Sequence, residues 1–204
     1  LTTKEYQMSD GMIMVQQFSK PVHYLENGEY KDIINILVEG MDDSGNEIYR
    51  NRANSFQVSF DKSVGEENDF IQIKEEDYKY EIGYKAPKAK KVKKEKNKIK
   101  EVNYKDKKQK RPVDLFETSG EITYEDVTAG TDFVYEIKNK QLNGDIVIES
   151  AQKEYTYTFE LRSPNLRFEQ NKDGSVSAKN GGGKEKFIIS KPYMTDANGA
   201  YSDH

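Results

Sequence analysis

Asp132-Phe133-Val134-Tyr135-Glu136-Ile137-Lys138 opens the stretch that decides the fold. Large apolar residues alternate here with smaller or charged ones, and the pattern continues to Asp203. An Asn143-Gly144 turn is expected to lead into Ile146-Val147-Ile148. Tyr155, Tyr157, Phe159 and Leu161 are then separated by Thr156, Thr158 and Glu160, and Leu166-Arg167-Phe168 and Phe187-Ile188-Ile189 follow. A period of two interrupted by Asn-Gly and Asp-Gly pairs is the pattern of half-buried strands joined by tight turns.

The earlier part of the chain repeats this pattern. Met8-Ser9-Asp10-Gly11 reads as a turn before a strand over Met12 to Phe18, and Glu26-Asn27-Gly28 is a type I′ hairpin signal. Ile33 to Val38 reads as a buried strand or a short helix, because periodicity alone does not separate the two in so short an apolar run. Asp43-Ser44-Gly45-Asn46 is a polar turn. Phe56 to Phe60, Ile71 to Ile73, Tyr78 to Ile82 and Ile122 to Tyr124 supply further strands. Strands with no helical pattern between them predict an antiparallel all-β fold, a β-sandwich or a barrel-like arrangement.

The hydrophobic fraction is 34% and the charged fraction 33% of 204 residues, so the core must be thin. Fourteen Tyr and nine Phe without Trp fit such a core, because each buried aromatic contributes about 1.5–3 kcal/mol. The absence of cysteine excludes disulfides, thiolate catalysis and cysteine-ligated metal centres. No run of about 18 apolar residues is present. The chain starts at Leu1 and is expected to be an excised fragment of a longer protein, with any signal peptide outside it.

Charge is segregated. Lys85 to Arg111 holds 14 basic and three acidic residues, a local charge of +11, whereas the remainder holds 18 basic and 33 acidic residues, a charge of −15. Pro87 and Pro112 bracket this tract, which is expected to be a loop, partly disordered or weakly helical near Lys93 to Val102. The expected organisation is an N-terminal β part over 1–84, a Lys-rich insertion over 85–114 and a C-terminal β part over 115–204, or one continuous domain.

No active site is legible. His23 is the single internal histidine, with His204 the only other, and a catalytic or metal role would need a partner base or second ligand. Carboxylate pairs such as Glu66-Glu67 and Glu75-Glu76 are ordinary in a chain with 36 acidic residues. Asp196-Ala197-Asn198-Gly199, with Ser202 and Asp203, has the alternating oxygens of a calcium loop. It lacks the acidic first and twelfth positions of an EF-hand and reads as turn chemistry. Gly181-Gly182-Gly183 lacks the following Lys-Ser/Thr of a phosphate cradle. The expectation is therefore no enzyme, no metal and no cofactor. Lys90, Lys91, Lys93, Lys94, Lys96, Lys98 and Lys100 are the candidate polyanion-binding residues, a salt-dependent attraction.

Three segments carry a resemblance. Ser9-Asp10-Gly11, Pro21-Val22-His23-Tyr24 and Gly28-Glu29-Tyr30-Lys31-Asp32-Ile33 with Asn35 form the first. Asn51-Arg52-Ala53-Asn54-Ser55-Phe56 with Val58 and Phe60 forms the second. Tyr155 to Leu161, Asn165-Leu166, Asp173-Gly174-Ser175 and Phe187 to Gly199 form the third. In this order they resemble the N-terminal regions of secreted wall-associated and RHS (YD)-repeat proteins of Firmicutes. Tyr30 stands where that family usually has Trp, and Ile34 where it has Asp. Leu142-Asn143-Gly144-Asp145 replaces its common Val-Lys-Glu-Asn.

The resemblance implies an extracellular, cell-wall-associated, non-catalytic structural or adhesive module near the start of a larger protein. Its implied partners are wall polymer or glycan and the rest of the parent chain, with neither nucleic acid nor membrane insertion expected. A carbohydrate-binding module is the alternative.

Overall fold

The computed structural model describes residues 1–62, 64, 69–75, 78–85, 97–99, 119–151 and 155–203. Among the described residues every element is a strand. A hairpin of β1 (Thr3–Gln7) and β2 (Ile13–Gln17) is followed by a second hairpin of β3 (His23–Glu26) and β4 (Glu29–Asp32). The second turns at Asn27 and Gly28 with φ of 53° and 84°, as the type I′ signal requires.

Next come β5 (Ile34–Met41), β6 (Glu47–Ala53), β7 (Gln57–Asp61), β8 (Asp69–Glu75) and β9 (Tyr78–Lys85), which form an antiparallel meander. β10 (Asn97–Ile99), β11 (Ser119–Thr128), β12 (Thr131–Lys138) and β13 (Gln141–Ile148) form a four-stranded sheet in chain order. β14 (Thr158–Arg162) then pairs with β9, giving the large sheet the six-strand order β14-β9-β8-β7-β6-β5. Last come β15 (Leu166–Gln170), β16 (Val176–Asn180) and β17 (Glu185–Ile189), a three-stranded sheet, and the short hairpin β18 (Met194–Thr195) with β19 (Tyr201–Ser202). Among the described residues all pairings are antiparallel and no sheet closes into a barrel.

Register explains the core. Val58 pairs with Ile73 and Phe60 with Ile71, while Ile73 and Ile71 pair in turn with Tyr80 and Ile82. Directly paired residues share a face, so one side of the six-stranded sheet is apolar. The four-stranded sheet answers with Ile122 opposite Tyr135 and Tyr124 opposite Phe133. Phe70 lies where the β8–β9 register shifts, and that irregularity turns it inward beside Ile71. Its ring meets Tyr124 edge-on at 5.5 Å and Tyr135 at 5.7 Å. Tyr80 stacks on Phe187 at 4.4 Å, so the three-stranded sheet covers the same face further along. One hydrophobic cluster joins Phe56 and Val58 with Ile137, Leu166 and Ala178.

Two expectations about local structure are corrected. The β12–β13 turn falls at Asn139-Lys140 rather than Asn143-Gly144, with Asn139 at φ 52°. Gly144 instead lies inside β13, opposite Tyr135, where an added Cβ would stand 2.7 Å from the ring. The glycine is there to make room for a buried tyrosine. Within the lysine tract, Asn97–Ile99 forms a strand paired with β11, where a loop or weak helix was expected. Backbone pairing to a strand already held in a sheet outweighs weak local propensity.

Candidate functional site

The residues most prominent in the sequence resemblance turn out to form a buried polar lock. Asn51 donates from Nδ2 to Asn35 Oδ1 at 3.0 Å and to the Phe56 carbonyl at 2.9 Å, while its Oδ1 accepts from Val58 N–H at 2.9 Å. Asn54 donates to Asn35 Oδ1 at 3.0 Å and to the Asn139 carbonyl at 2.6 Å. Asn35 also donates to that carbonyl, and Asn139 donates to the Pro21 carbonyl at 2.7 Å. Asn35, Asn51 and Asn54 are all buried. Four amides thereby tie β5, β6, the β12–β13 turn and the segment before β3 together. This is packing chemistry, since a buried polar network fully used for internal bonds leaves nothing to offer a ligand.

His23 sits on β3 and pairs with Asp32 on β4 at 2.9 Å, and Lys4 of β1 reaches the other oxygen of the same carboxylate at 3.0 Å. The arrangement pins the first hairpin to the second and has no nucleophile in its geometry. His23 is a strand residue with a structural partner.

The acidic turns are caps. Asp196 Oδ1 accepts from the N–H groups of Asn198 and Ala200, both at 2.8 Å, and these bonds, that from Ala200 foremost, hold its carboxyl below the usual range. Asp42 does the same for Ser44 and Asn46, and Asp173 for Ser175. Gly45, Gly174 and Gly199 complete these turns at φ of 83° to 88°. Among the described residues no group of three His, Cys, Asp or Glu side chains is placed to hold a metal ion. The Asp196 and Asp42 turns act as hairpin ends, and Gly181-Gly182-Gly183 joins β16 to β17.

Of the carboxylate pairs, Glu75 accepts from the Tyr78 hydroxyl at 2.5 Å and from Lys140 at 2.7 Å. Glu66, Glu67 and Glu76 lie outside the described residues. One carboxyl has an unusual environment. Asp61, at the end of β7, is pushed up to about 6 by burial and, after that, by the negative charges of Asp42 and Asp69. Its backbone carbonyl accepts from the Tyr124 hydroxyl at 2.7 Å.

Lys90, Lys91, Lys93, Lys94, Lys96 and Lys100 lie outside the described residues. Lys98 falls in β10, paired through its backbone with Thr123.

The surface feature that periodicity did not single out is a pair of tyrosines on the last hairpin. Tyr193 and Tyr201 are each 64% exposed, and their rings stack at 5.5 Å with 29° between planes. Thr195 pairs with Tyr201 and Met194 with Ser202, so alternation puts Tyr193, Thr195 and Tyr201 on one face. Lys191 and Asp203, just outside these two short strands, form an ion pair at 3.1 Å. The available sequence signal was Tyr at both sides of the Asp196 to Gly199 turn.

Comparison with known proteins gives three distant relatives. The chain is 33% identical over 79 residues, 39% of its length, to tRNA nuclease WapA of Bacillus subtilis strain 168. It is 33% identical over the same length to tRNA(Glu)-specific nuclease WapA of Bacillus subtilis subsp. natto, and 32% identical over 79 residues to tRNA3(Ser)-specific nuclease WapA of Bacillus spizizenii. The match spans 3% of each relative. No family model matches, so the RHS-repeat part of the resemblance has no support here. No solved structure matches.

These relatives correct one expectation. The chain was expected to be no enzyme, yet all three proteins it matches are named as nucleases. The match covers 39% of this chain, and it is the names of these relatives that overturn the expectation. Among the described residues no helix is long and apolar enough to cross a membrane.

Proposed function

We propose that this chain is an extracellular β module of a large wall-associated protein and that it attaches its parent to the cell wall. The observation that carries the reading is the WapA similarity, in which 79 residues account for only 3% of each relative. A small unit whose described elements are all strands, within a very long chain, suits a spacer or attachment role. Its thin aromatic core, Asn-locked junctions and capped hairpins give a rigid body whose loops and outer faces are free to vary.

Two attachment chemistries make different demands. Charge-driven tethering through Lys85 to Arg111 to anionic wall polymer would weaken steeply with salt. Carbohydrate binding would survive salt, and the exposed Tyr193–Tyr201 stack favours it. The test is co-sedimentation of the purified chain with isolated Gram-positive cell walls at low and high salt, beside a variant lacking residues 85–111. Binding in the pellet at either salt supports attachment. A chain that stays in the supernatant under both conditions refutes it.

A further inference from the structure

We propose that the outer face of the β18–β19 hairpin is a glycan platform: Tyr193 and Tyr201 receive the C–H face of a pyranose ring in an uncharged glycan chain, and Thr195, Lys191 and Asp203 bond its hydroxyl groups. The inference rests on the attachment reading and names the site and ligand class for it.

Three observations carry it. First, the pair is nearly parallel and open. The rings lie 29° apart at 5.5 Å, and each side chain remains 64% exposed. An aromatic face carries negative charge density, so it attracts the weakly positive C–H hydrogens that line one side of a pyranose, and a ring stacked there sheds water from both surfaces.

Second, the platform has polar neighbours. Lys191 and Asp203, which flank the two strands of the hairpin, bond each other at 3.1 Å, and Thr195 lies directly across from Tyr201. A cation, a carboxylate and hydroxyl groups around an aromatic floor match a ligand with an apolar face and a rim of hydroxyls.

Third, the face is pre-ordered. Asp196 N–H donates to the Ala200 carbonyl at 3.0 Å and Gly199 N–H to the Asp196 carbonyl at 3.0 Å, closing the hairpin. The Lys191 stem passes so close to Gly174 that an added Cβ there would stand 3.3 Å from Lys191 Cγ. A platform held this way loses little freedom when a ligand arrives.

Charge selects against a polyanion at this place. Lys191 is neutralised by Asp203, and Asp196 and Asp173 stand on the adjoining turns. The Asp203, Asp196 and Asp173 carboxylates would repel a phosphate-rich polymer here, whereas an uncharged sugar chain carries no charge for them to repel.

The experiment uses walls before and after extraction of their anionic polymers, at high salt, with wild type, Tyr193→Ala, Tyr201→Ala, Tyr201→Phe and Tyr30→Ala. Tyr30, 66% exposed on another hairpin, controls for unspecific loss of an exposed tyrosine. Wild type should bind both preparations. Tyr193→Ala and Tyr201→Ala should each weaken binding about tenfold or more, and Tyr201→Phe should keep most of it. Tyr30→Ala should match wild type, with unchanged melting temperatures throughout. Unaltered binding by both alanine variants overturns the platform, as does binding that disappears with the anionic polymers. Either result leaves attachment standing. If wild type binds no wall preparation at low or high salt, attachment itself fails and the platform with it.

Discussion

Replacing Asn51 by alanine tests whether the asparagine lock stabilises the fold. The side chain is 2% exposed and makes three bonds, to Asn35 Oδ1, the Phe56 carbonyl and Val58 N–H. Asn35 Oδ1 keeps its bond from Asn54 in the variant. The Phe56 carbonyl and the Val58 N–H lose a partner inside the protein, where water does not replace it. A stranded buried polar group costs about 1–3 kcal/mol, so Asn51→Ala should lose about 3–5 kcal/mol once the small cavity is added. That is a large share of a stability of about 5–15 kcal/mol.

Chemical denaturation read by tyrosine fluorescence gives the loss as a shift in midpoint at constant slope. Asn51→Asp supplies a second, sharper reading. Its extra oxygen would face Asn35 Oδ1 and the Phe56 carbonyl, acceptors against acceptors, unless the carboxyl is protonated. Its folded-state pKa must therefore rise, and the stability of this variant should improve as pH falls below about 5. A loss under about 1 kcal/mol for Asn51→Ala, or no pH dependence specific to Asn51→Asp, would refute the lock.

Three further outcomes follow from the packing and charge. Gly120→Ala would place a Cβ 2.0 Å from the Asn35 carbonyl oxygen and 3.3 Å from Leu37 Cγ. Strands β5 and β11 must part to admit it, and a loss of about 3 kcal/mol or more is expected from the denaturation midpoint. Phe70→Ala removes a fully buried ring from contact with Tyr124, Phe133 and Tyr135, with an expected loss of about 3–5 kcal/mol. Asp61→Asn should act in the opposite direction. A carboxyl raised to about 6 stabilises the fold below its unfolded pKa and loses that contribution as pH rises through 6. The variant should therefore be more stable than wild type at pH 8 by roughly 1 kcal/mol, allowing for partial solvent screening, and equal to it near pH 4. Melting temperatures across that range check the sign.

The sequence determined the class of fold. A strict period of two over Phe133 to Ile137 and Phe56 to Phe60, with Asn27-Gly28 and Asp-x-x-Gly turns, leaves strands as the arrangement that buries the aromatics on one side. These are local signals, set by a few adjacent residues, and the structure places them as read. Turn position was less legible at β12–β13. Asn143-Gly144 carries the stronger local signal, but its glycine is set by the Tyr135 ring across the strand pair, a contact that sequence order hides.

Tertiary structure alone decided which polar residues serve the fold and which face outward. Asn35, Asn51, Asn54 and Asn139 are spread over about half the chain, yet they converge because β5, β6 and the β12–β13 turn meet at one junction. Tyr80 and Tyr201 look alike in sequence, but Tyr80 is buried against Phe187, which pushes its hydroxyl pKa upward, and Tyr201 lies open beside Tyr193. Alternation says that a tyrosine has a side, and only the pairing of distant sheets says whether that side is covered. The reason is physical. Local sequence sets backbone geometry residue by residue, whereas burial depends on which remote surface arrives to exclude water.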